Sequence, residues 1–246
     1  MGNVQLIRRW GLPMALFILL SWGISTGLLL SSPLSTLPLI ILFIFLQTHL
    51  YTGLFITAHD AMHGTVSLNK QWNTAIGRIC LTLFMFNRWS KLLPAHHRHH
   101  DFVATENDPD YHPPHPITWY IKFLWGYLSW QQLVAIALLF NFFQYVLHVE
   151  VINLILFWII PSFLSTFQLF YFGTYLPHRG EHENAHHSSS QKKNHVWAFI
   201  SCYFFGYHYE HHDQPACPWW LLWQAKDRSI LPNNSPHGPK DQPIVG

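Results

Sequence analysis

Charged residues are scarce in this sequence, and their absence is concentrated in two stretches. Lysine, arginine, aspartate and glutamate make up 11% of the 246 residues, about half the usual share in a soluble domain. Residues 10–59 contain none of them, and between Lys122 and Arg179 the only one is Glu150. This pattern excludes an ordinary soluble domain and a disordered chain. Aromatic residues reach 17%, which is typical of a membrane protein because membrane interfaces favour Trp and Tyr.

Other absences narrow the function. The chain has three cysteines, and their spacing fits neither a disulfide framework nor a zinc ribbon. A net charge of +2 with scattered lysines and arginines gives no basic stripe for nucleic acid. No glycine-rich phosphate loop is present, so no nucleotide site is expected. The Gly-x-Ser-x-Gly string at 23–27 lies within a predicted span, without a neighbouring base, and is interpreted as a helix-packing face rather than a nucleophile elbow.

The apolar runs are long enough to cross a bilayer. A hydrocarbon core of about 30 Å requires about 20 apolar residues in a helix. Polar breaks at 31–33 and 148–150 divide the two uncharged stretches into four predicted spans, at residues 12–31, 37–58, 131–148 and 151–173. The segment 117–130, rich in Trp and Tyr, is expected to lie along the interface.

The positions of lysine and arginine predict the orientation of the chain. All of them lie outside the two short loops at 32–36 and 148–151. By the positive-inside rule, residues 1–11, 59–122 and 177–246 are therefore expected to be cytoplasmic. The predicted fold is a single all-α integral membrane domain, residues 1–246, with four transmembrane helices and a cytoplasmic helical cap.

Histidine is unusually abundant, with 19 residues against 14 lysines and arginines. His59 and His63 are spaced i and i+4, so on a helix they lie about 40° apart on one face. A His-x-x-His-His string occurs twice, first as His96, His99 and His100 and then as His208, His211 and His212. All three clusters fall in segments predicted to be cytoplasmic. Eight imidazoles exceed the three or four ligands of one zinc ion, so the pattern predicts two metal ions, although imidazole alone does not select iron, copper, zinc or nickel.

Longer strings surround these histidine clusters. They read FITAHDAMHG at 55–64, TENDPDY at 105–111, YFGTYLPHR at 171–179 and FGYHYEHH at 205–212, the last followed by PWW at 218–220. On these strings, from about residue 45 to 225, the sequence resembles the carotenoid 4-ketolase (β-carotene ketolase) family. That family belongs to the membrane-bound di-iron superfamily of fatty-acid desaturases and hydroxylases.

The resemblance implies a reaction, its cofactors and its partners. The C4 methylene of a β-ionone ring becomes a ketone through two successive O2-dependent hydroxylations and loss of water from the gem-diol, which takes β-carotene to echinenone and canthaxanthin. Two ferrous ions would activate dioxygen, and the carotenoid would enter from the membrane lipids. Electrons would come from ferredoxin or a similar donor, because the chain has no flavin, haem-attachment or iron–sulfur motif.

The resemblance also assigns the eight histidines of the three clusters as iron ligands and adds a ninth. The family pattern Asn-x-His-x-Ala-Arg-Ser corresponds here to Asn184-Ala-His186-His187-Ser-Ser-Ser190, without the usual Ala-Arg. His186 is expected to be the ninth ligand, with His187 as the alternative. His178 is expected to orient a ligand rather than to be a tenth one.

Two further groups of residues have two interpretations each. Asp108 and Asp110 either compensate the charge of the metal ions or close the loop around Pro109. The aromatic residues of the fourth span either line a carotenoid channel or pack the core; they are Phe167, Phe170, Tyr171, Phe172 and Tyr175.

Other functions share part of this pattern. Hydroxylation of the ring at C3, or desaturation or hydroxylation of an acyl chain, would use the same histidine clusters, but the longer strings favour ketolation. A divalent-metal transporter is disfavoured because the predicted spans offer few ionisable groups near the bilayer midplane.

Overall fold

The chain is all-helical where its structure is described. The computed structural model describes residues 5–32, 36–112 and 115–229, and this part of the chain contains no β-strand. The described residues fall into two compact units, each made of two chain segments. The first unit comprises Met1–Leu93 and Tyr127–Phe167, and the second comprises Pro94–Gly126 and Gln168–Gly246.

The first unit is built on long apolar helices. After a π-helical turn at Ile7–Gly11, its helices are α1 (Leu12–Ser31), α2 (Leu37–Met62), α3 (Lys70–Leu83), the start of α4 (Trp89–Asp101), α6 (Trp130–Tyr145) and the first part of α7 (Val151–His178). The amide of buried Gln47 on α2 pairs with α1, where its oxygen accepts a hydrogen bond from Ser25 at 2.7 Å. Such polar pairs hold apolar helices together where the hydrophobic effect does not.

Within the described residues, three helices are long and apolar enough to cross a membrane, namely Arg9–Ser31, Leu37–Met62 and Val151–His178. A fourth span results if α5 (Pro116–Tyr127) and α6, separated by a break, count as one. Large apolar side chains stand exposed along α1, among them Phe17, Leu20 and Ile24, as expected for a helix surrounded by lipid. An all-helical protein with three to four apolar spans is therefore confirmed, whereas the count of four and the sidedness stay predictions.

Three helix ends differ from the predicted spans, and one of them is the end of α7, which continues to His178 instead of ending at 173. Helix α2 continues to Met62, four residues beyond the predicted end, so that His59 lies on the helix and His63 caps it. Helix α6 ends at Tyr145 rather than 148, and His148 adopts a left-handed backbone conformation with φ of 53°, which an α-helix does not accommodate.

The second unit gathers short helices around the end of α7. Its helices are the end of α4, most of α5, the last part of α7, α8 (His195–Cys202), α9 (His208–Asp213), a 3₁₀ turn at Trp219–Leu221 and α10 (Leu222–Arg228). Within α7, a π-helical turn at Tyr171–Tyr175 comes immediately before the turn that carries His178. Single π-helical turns of this kind occur frequently at functional sites.

Candidate metal centre

Four buried histidines of the second unit meet at one point. His99 comes from α4, His178 from the end of α7, and His208 and His212 from α9. One ring nitrogen of each lies within 4.8 Å of the corresponding nitrogen of every other, and none of the four residues is more than 6% exposed. We call these four residues the four-histidine cluster.

The nitrogen contacts within this cluster fit a bound cation. His208 Nε2 lies 2.9 Å from His178 Nε2 and 2.9 Å from His212 Nε2. A single proton on His208 Nε2 satisfies only one of these two contacts. Imidazole nitrogens lie about 2.1 Å from a bound zinc ion, so two of them at a right angle are about 3 Å apart. The spacing therefore suits imidazoles that share one metal ion.

Partners on the far side of two rings fix which nitrogen faces the cluster. His178 Nδ1 lies 3.1 Å from the carbonyl oxygen of His187, and a carbonyl only accepts, so Nδ1 carries the proton and Nε2 keeps its lone pair. His99 Nδ1 lies 3.0 Å from both carboxylate oxygens of Asp108 and donates to them. Metal-binding histidines typically donate their second N–H to a carbonyl or carboxylate in this way.

Burial and Asp108 have opposite effects on the pKa values of histidines in this cluster. Burial lowers the pKa of His212 well below its usual value, and the neighbouring histidines lower it further. Burial also opposes the charged form of His99, but the hydrogen bond and charge of Asp108, together with Asp110, raise the pKa of His99. Burial opposes ionisation of Asp108 as well, yet His99 and two backbone N–H donors lower its pKa. Asp108 is therefore the anionic partner of this cluster.

Asp108 also closes the loop in which it lies. Its carboxylate accepts hydrogen bonds from the backbone N–H of Ala104 and of Asp110, both at 2.9 Å. The carbonyl of Asp110 accepts a hydrogen bond from the indole of buried Trp119 at 2.7 Å. Asp108 thus contacts both the His99 ring and the backbone of its own loop. A carboxylate oxygen of Asp110 lies within 4.8 Å of the ligand atoms of His99 and Asp108.

The loop that supports His178 is organised by Asn184. The side-chain oxygen of Asn184 accepts hydrogen bonds from the backbone N–H groups of His186 and Ser188, and its amide donates to the carbonyl of Ser188 at 2.7 Å. His187 is exposed, with φ of 41°, and its Nδ1 donates to the carbonyl of His182 at 3.1 Å. The backbone of His187, rather than its ring, thus reaches the four-histidine cluster.

His186 lies outside the four-histidine cluster. Its Nε2 is 3.5 Å from Asp213 Oδ1, and its side chain is 26% exposed. Its ring packs against Tyr209, with the centroids 5.1 Å apart. Among the described residues, His178 rather than His186 or His187 lies with the other three rings of this cluster, and the identity of the ninth ligand stays a prediction.

Three more histidines of the second unit form a neighbouring group. Nitrogens of His96, His100 and His211 lie within 4.8 Å of one another, and His100 Nε2 is 3.1 Å from His211 Nε2. The rings of His100 and His212 stack at 4.2 Å, which joins this group to the four-histidine cluster. In the first unit, the rings of His59 and His63 lie 5.0 Å apart at the end of α2, as their i, i+4 spacing predicts.

The predicted channel residues have different surroundings. Phe170 is 1% exposed and packs against Tyr120, Phe123 and Tyr175, so its position is that of a core residue. Phe167 is 49% exposed. Tyr171 and Phe172 are half-buried.

Gly173 allows an aromatic ring to pack directly on α7 beside the histidines. A Cβ at this position would lie 2.5 Å from the ring of Phe205, and that ring lies 5.3 Å from the ring of His208. We expect Gly173→Ala to destabilise the protein by about 1–3 kcal/mol, because Phe205 has to move toward the histidines. Differential scanning calorimetry measures this loss.

A matched control exists in α5. A Cβ at Gly126 would meet no atom within 4 Å, so Gly126→Ala is expected to leave stability unchanged or slightly raised. Equal thermal midpoints for the two variants would show that Phe205 moves freely and would contradict the tight packing at Gly173.

Sequence reasoning missed three residues beside the last histidine string. Glu210, between His208 and His211, is 2% exposed, and its carboxylate binds Lys226 of α10 and Ser190. The available signal was an acidic residue between two ligand histidines, but its partners lie 16 and 20 residues away, at no recognisable spacing.

Related proteins place the chain in a family. The fatty acid desaturase family model matches residues 31–132 and 115–241. A β-carotene ketolase of a Paracoccus species is 37% identical over 180 residues, which cover 71% of this chain and 74% of that protein. A β-carotene ketolase of Haematococcus lacustris is 39% identical over 80% of this chain and 65% of its own length.

A zeaxanthin 4-ketolase of Chlamydomonas reinhardtii is 35% identical over 84% of this chain. The matched region covers 47% of that relative's length. No solved structure matches the chain significantly. The matches cover the segments that carry all three histidine clusters. The chain belongs to the fatty acid desaturase family and, within it, to the β-carotene ketolases.

Proposed function

We propose that the protein is a carotenoid 4-ketolase that converts β-carotene to echinenone and then to canthaxanthin. Relatives named as carotenoid 4-ketolases, 35–39% identical over most of the chain, carry this proposal. The buried four-histidine cluster supports it, because oxidation of a methylene that carries no activating polar group requires a redox-active centre.

The reaction balances as two successive oxygenations at one carbon. Each hydroxylation uses one dioxygen, two electrons and two protons, and releases one water; loss of water from the gem-diol then gives the ketone. Iron ions held by the histidines would supply the activation of dioxygen. The electrons come from an external donor, for which we propose a ferredoxin or a protein of similar kind.

The residues of the second unit have distinct tasks in this proposal. The four-histidine cluster would hold one ion through its ring nitrogens, and the burial of these rings limits the access of water to them. Asp108 keeps His99 in the tautomer whose Nε2 is free to bind, and the carbonyl of His187 does the same for His178. His96, His100 and His211 are proposed ligands of a second ion.

The remaining assignments follow from the sequence pattern. His59 and His63 are proposed as further ligands because of their spacing and the family resemblance. We assign His178 rather than His186 as the additional ligand. Entry of the carotenoid from the bilayer along Phe167, Tyr171, Phe172 and Tyr175, and a cytoplasmic position for the metal ions and both termini, are part of the same proposal.

Pigment analysis tests the reaction directly. We expect cells that make β-carotene to accumulate ring ketones when they produce this protein, and not when they produce equal amounts of His99→Ala or His211→Ala. Chromatography with mass spectrometry identifies the products. A C3 alcohol as the sole product would replace ketolation by hydroxylation. Unchanged carotenoids, in the presence of an added ferredoxin and its reductase, would refute a carotenoid substrate.

A further inference from the structure

A buried ion pair lies directly behind the last histidine string. Glu210 Oε1 accepts a hydrogen bond from Lys226 Nζ at 3.1 Å, and each side chain is only 2% exposed. Lys226 Nζ also lies 5.7 Å from the centre of the Tyr207 ring. The pair therefore joins α9, which carries three histidines, to α10.

Ser190 ties the same carboxylate to a second chain segment. Its hydroxyl donates a hydrogen bond to Glu210 Oε2 and accepts one from the backbone N–H of Tyr209 at 3.1 Å. The adjacent Ser189 donates its backbone N–H to the carbonyl of Pro177 at 2.8 Å. This segment thus contacts both α9 and the turn of α7 that presents His178.

Helix α9 needs such an external constraint. It has only six residues, His208–Asp213, and a helix this short is not stable by itself in water. It also places His208 Nε2 and His212 Nε2 2.9 Å apart, and His211 Nε2 3.1 Å from a ring nitrogen of α4. Local helix propensity therefore does not account for the orientation of the three rings.

A buried ion pair contributes little net stability, because the cost of removing both charges from water offsets their attraction. In some proteins a buried polar or ionic group instead selects one conformation over its alternatives. In this fold the pair is attached to the helix whose orientation matters most for metal binding.

We propose that Glu210, Lys226 and Ser190 form a lock that positions the rings of α9 for metal binding. The three residues, called the Glu210 lock, are positioning residues and touch neither metal nor substrate. This inference rests on the proposed metal centre and goes beyond it by naming what orients α9.

The test compares two variants of the full-length protein in detergent, loaded with Co2+ alone. Lys226→Met leaves the Glu210 carboxylate buried without its cation, so both the thermal midpoint and cobalt binding are expected to fall. Glu210→Gln/Lys226→Met removes both charges at similar volume, so we expect the thermal midpoint to recover. Without the lock, cobalt affinity is expected to stay about 10-fold or more below wild type, with an altered visible spectrum.

Two further variants keep the test decisive. Lys193→Met breaks the exposed Lys193–Asp227 pair of the same unit and is expected to leave stability and the cobalt spectrum unchanged. Ser190→Ala removes one hydroxyl and keeps the ion pair, so its cobalt spectrum should change, while the thermal midpoint falls only by the loss of the hydrogen bonds that this hydroxyl makes. A wild-type cobalt spectrum and affinity in the double variant, or in Ser190→Ala if the double variant does not fold, would overturn the lock.

Cobalt binding is measured without carotenoid or dioxygen, which separates the two proposals. A wild-type protein that binds cobalt and makes no ketone would refute the ketolase function and leave the lock in place. A wild-type protein that binds no cobalt would refute the metal centre and the lock with it.

Discussion

His178→Ala is expected to remove one metal ion and abolish ketone formation. His178 supplies one of the four nitrogens of the four-histidine cluster, and its Nδ1–H is already committed to the carbonyl of His187. With Ala at this position only three imidazoles remain for the ion, and the same nitrogen ligands bind ferrous ion less tightly than zinc. We expect bound iron to fall from about two to about one per chain, as measured by inductively coupled plasma mass spectrometry.

His186→Ala is the matched control for this substitution. Its ring is partly exposed beside Asp213 and Tyr209, and its centroid is 6.2 Å from that of His212. Because none of its nitrogens joins the four-histidine cluster, the variant should keep its iron and most of its ketone production. The opposite pattern, with iron lost in His186→Ala and kept in His178→Ala, would restore the ligand assignment that the sequence alone favours. His187→Ala should behave like His186→Ala, because the backbone of His187, rather than its ring, contacts His178.

The sequence predicted the histidine clusters because their spacing follows from helix geometry. Residues i and i+4 share a helix face wherever the helix lies, so the closeness of His59 and His63 required no tertiary information. The convergence of His99 with His208 and His212 was likewise predicted from two separate strings that repeat the same spacing. Long uncharged runs predicted the apolar helices by a similarly local argument.

The choice between His178 and His186 could not be made from spacing. The π-helical turn at Tyr171–Tyr175 adds one residue to a turn of α7. This extra residue rotates the side chains that follow by about 100° around the helix axis. A sequence period of 3.6 residues contains no sign of this shift. The position of His178 also depends on a loop, closed by Asn184, that brings the His187 carbonyl to its ring.

The aromatic residues of α7 show the same limit. Phe167 and Phe170 are three residues apart and equally apolar, yet the former is 49% exposed and the latter 1% exposed. The difference arises because Tyr120 and Phe123, from a distant part of the chain, pack on Phe170. Composition identified an aromatic segment, whereas only tertiary contacts distinguish core packing from a surface open to lipid or substrate.

Asp108→Asn is expected to weaken metal binding at the four-histidine cluster by about 10- to 100-fold, the usual effect of losing a carboxylate behind a metal-binding histidine. The amide keeps nearly the same shape, but its single oxygen accepts only one of the two hydrogen bonds that the backbone of the loop donates to the carboxylate. It loses the negative charge that holds the Nδ1 proton of His99 and that raises the pKa of this ring. Titration with Co2+, followed by visible absorption, measures the change in affinity.

Asp213→Asn provides the comparison. The Asp213 side chain is 48% exposed, and its carboxylate lies beside His186, which is outside the four-histidine cluster. Its replacement should leave cobalt affinity unchanged.

The two functions of Asp108 predict different results: a carboxylate that only closes the loop would show a lower thermal midpoint with unchanged cobalt affinity. A carboxylate that supports the metal ion would show weakened cobalt binding in addition to a lower midpoint, since the amide has only one acceptor oxygen for the backbone N–H groups of Ala104 and Asp110. We expect the second result, because both carboxylate oxygens lie 3.0 Å from the ring nitrogen.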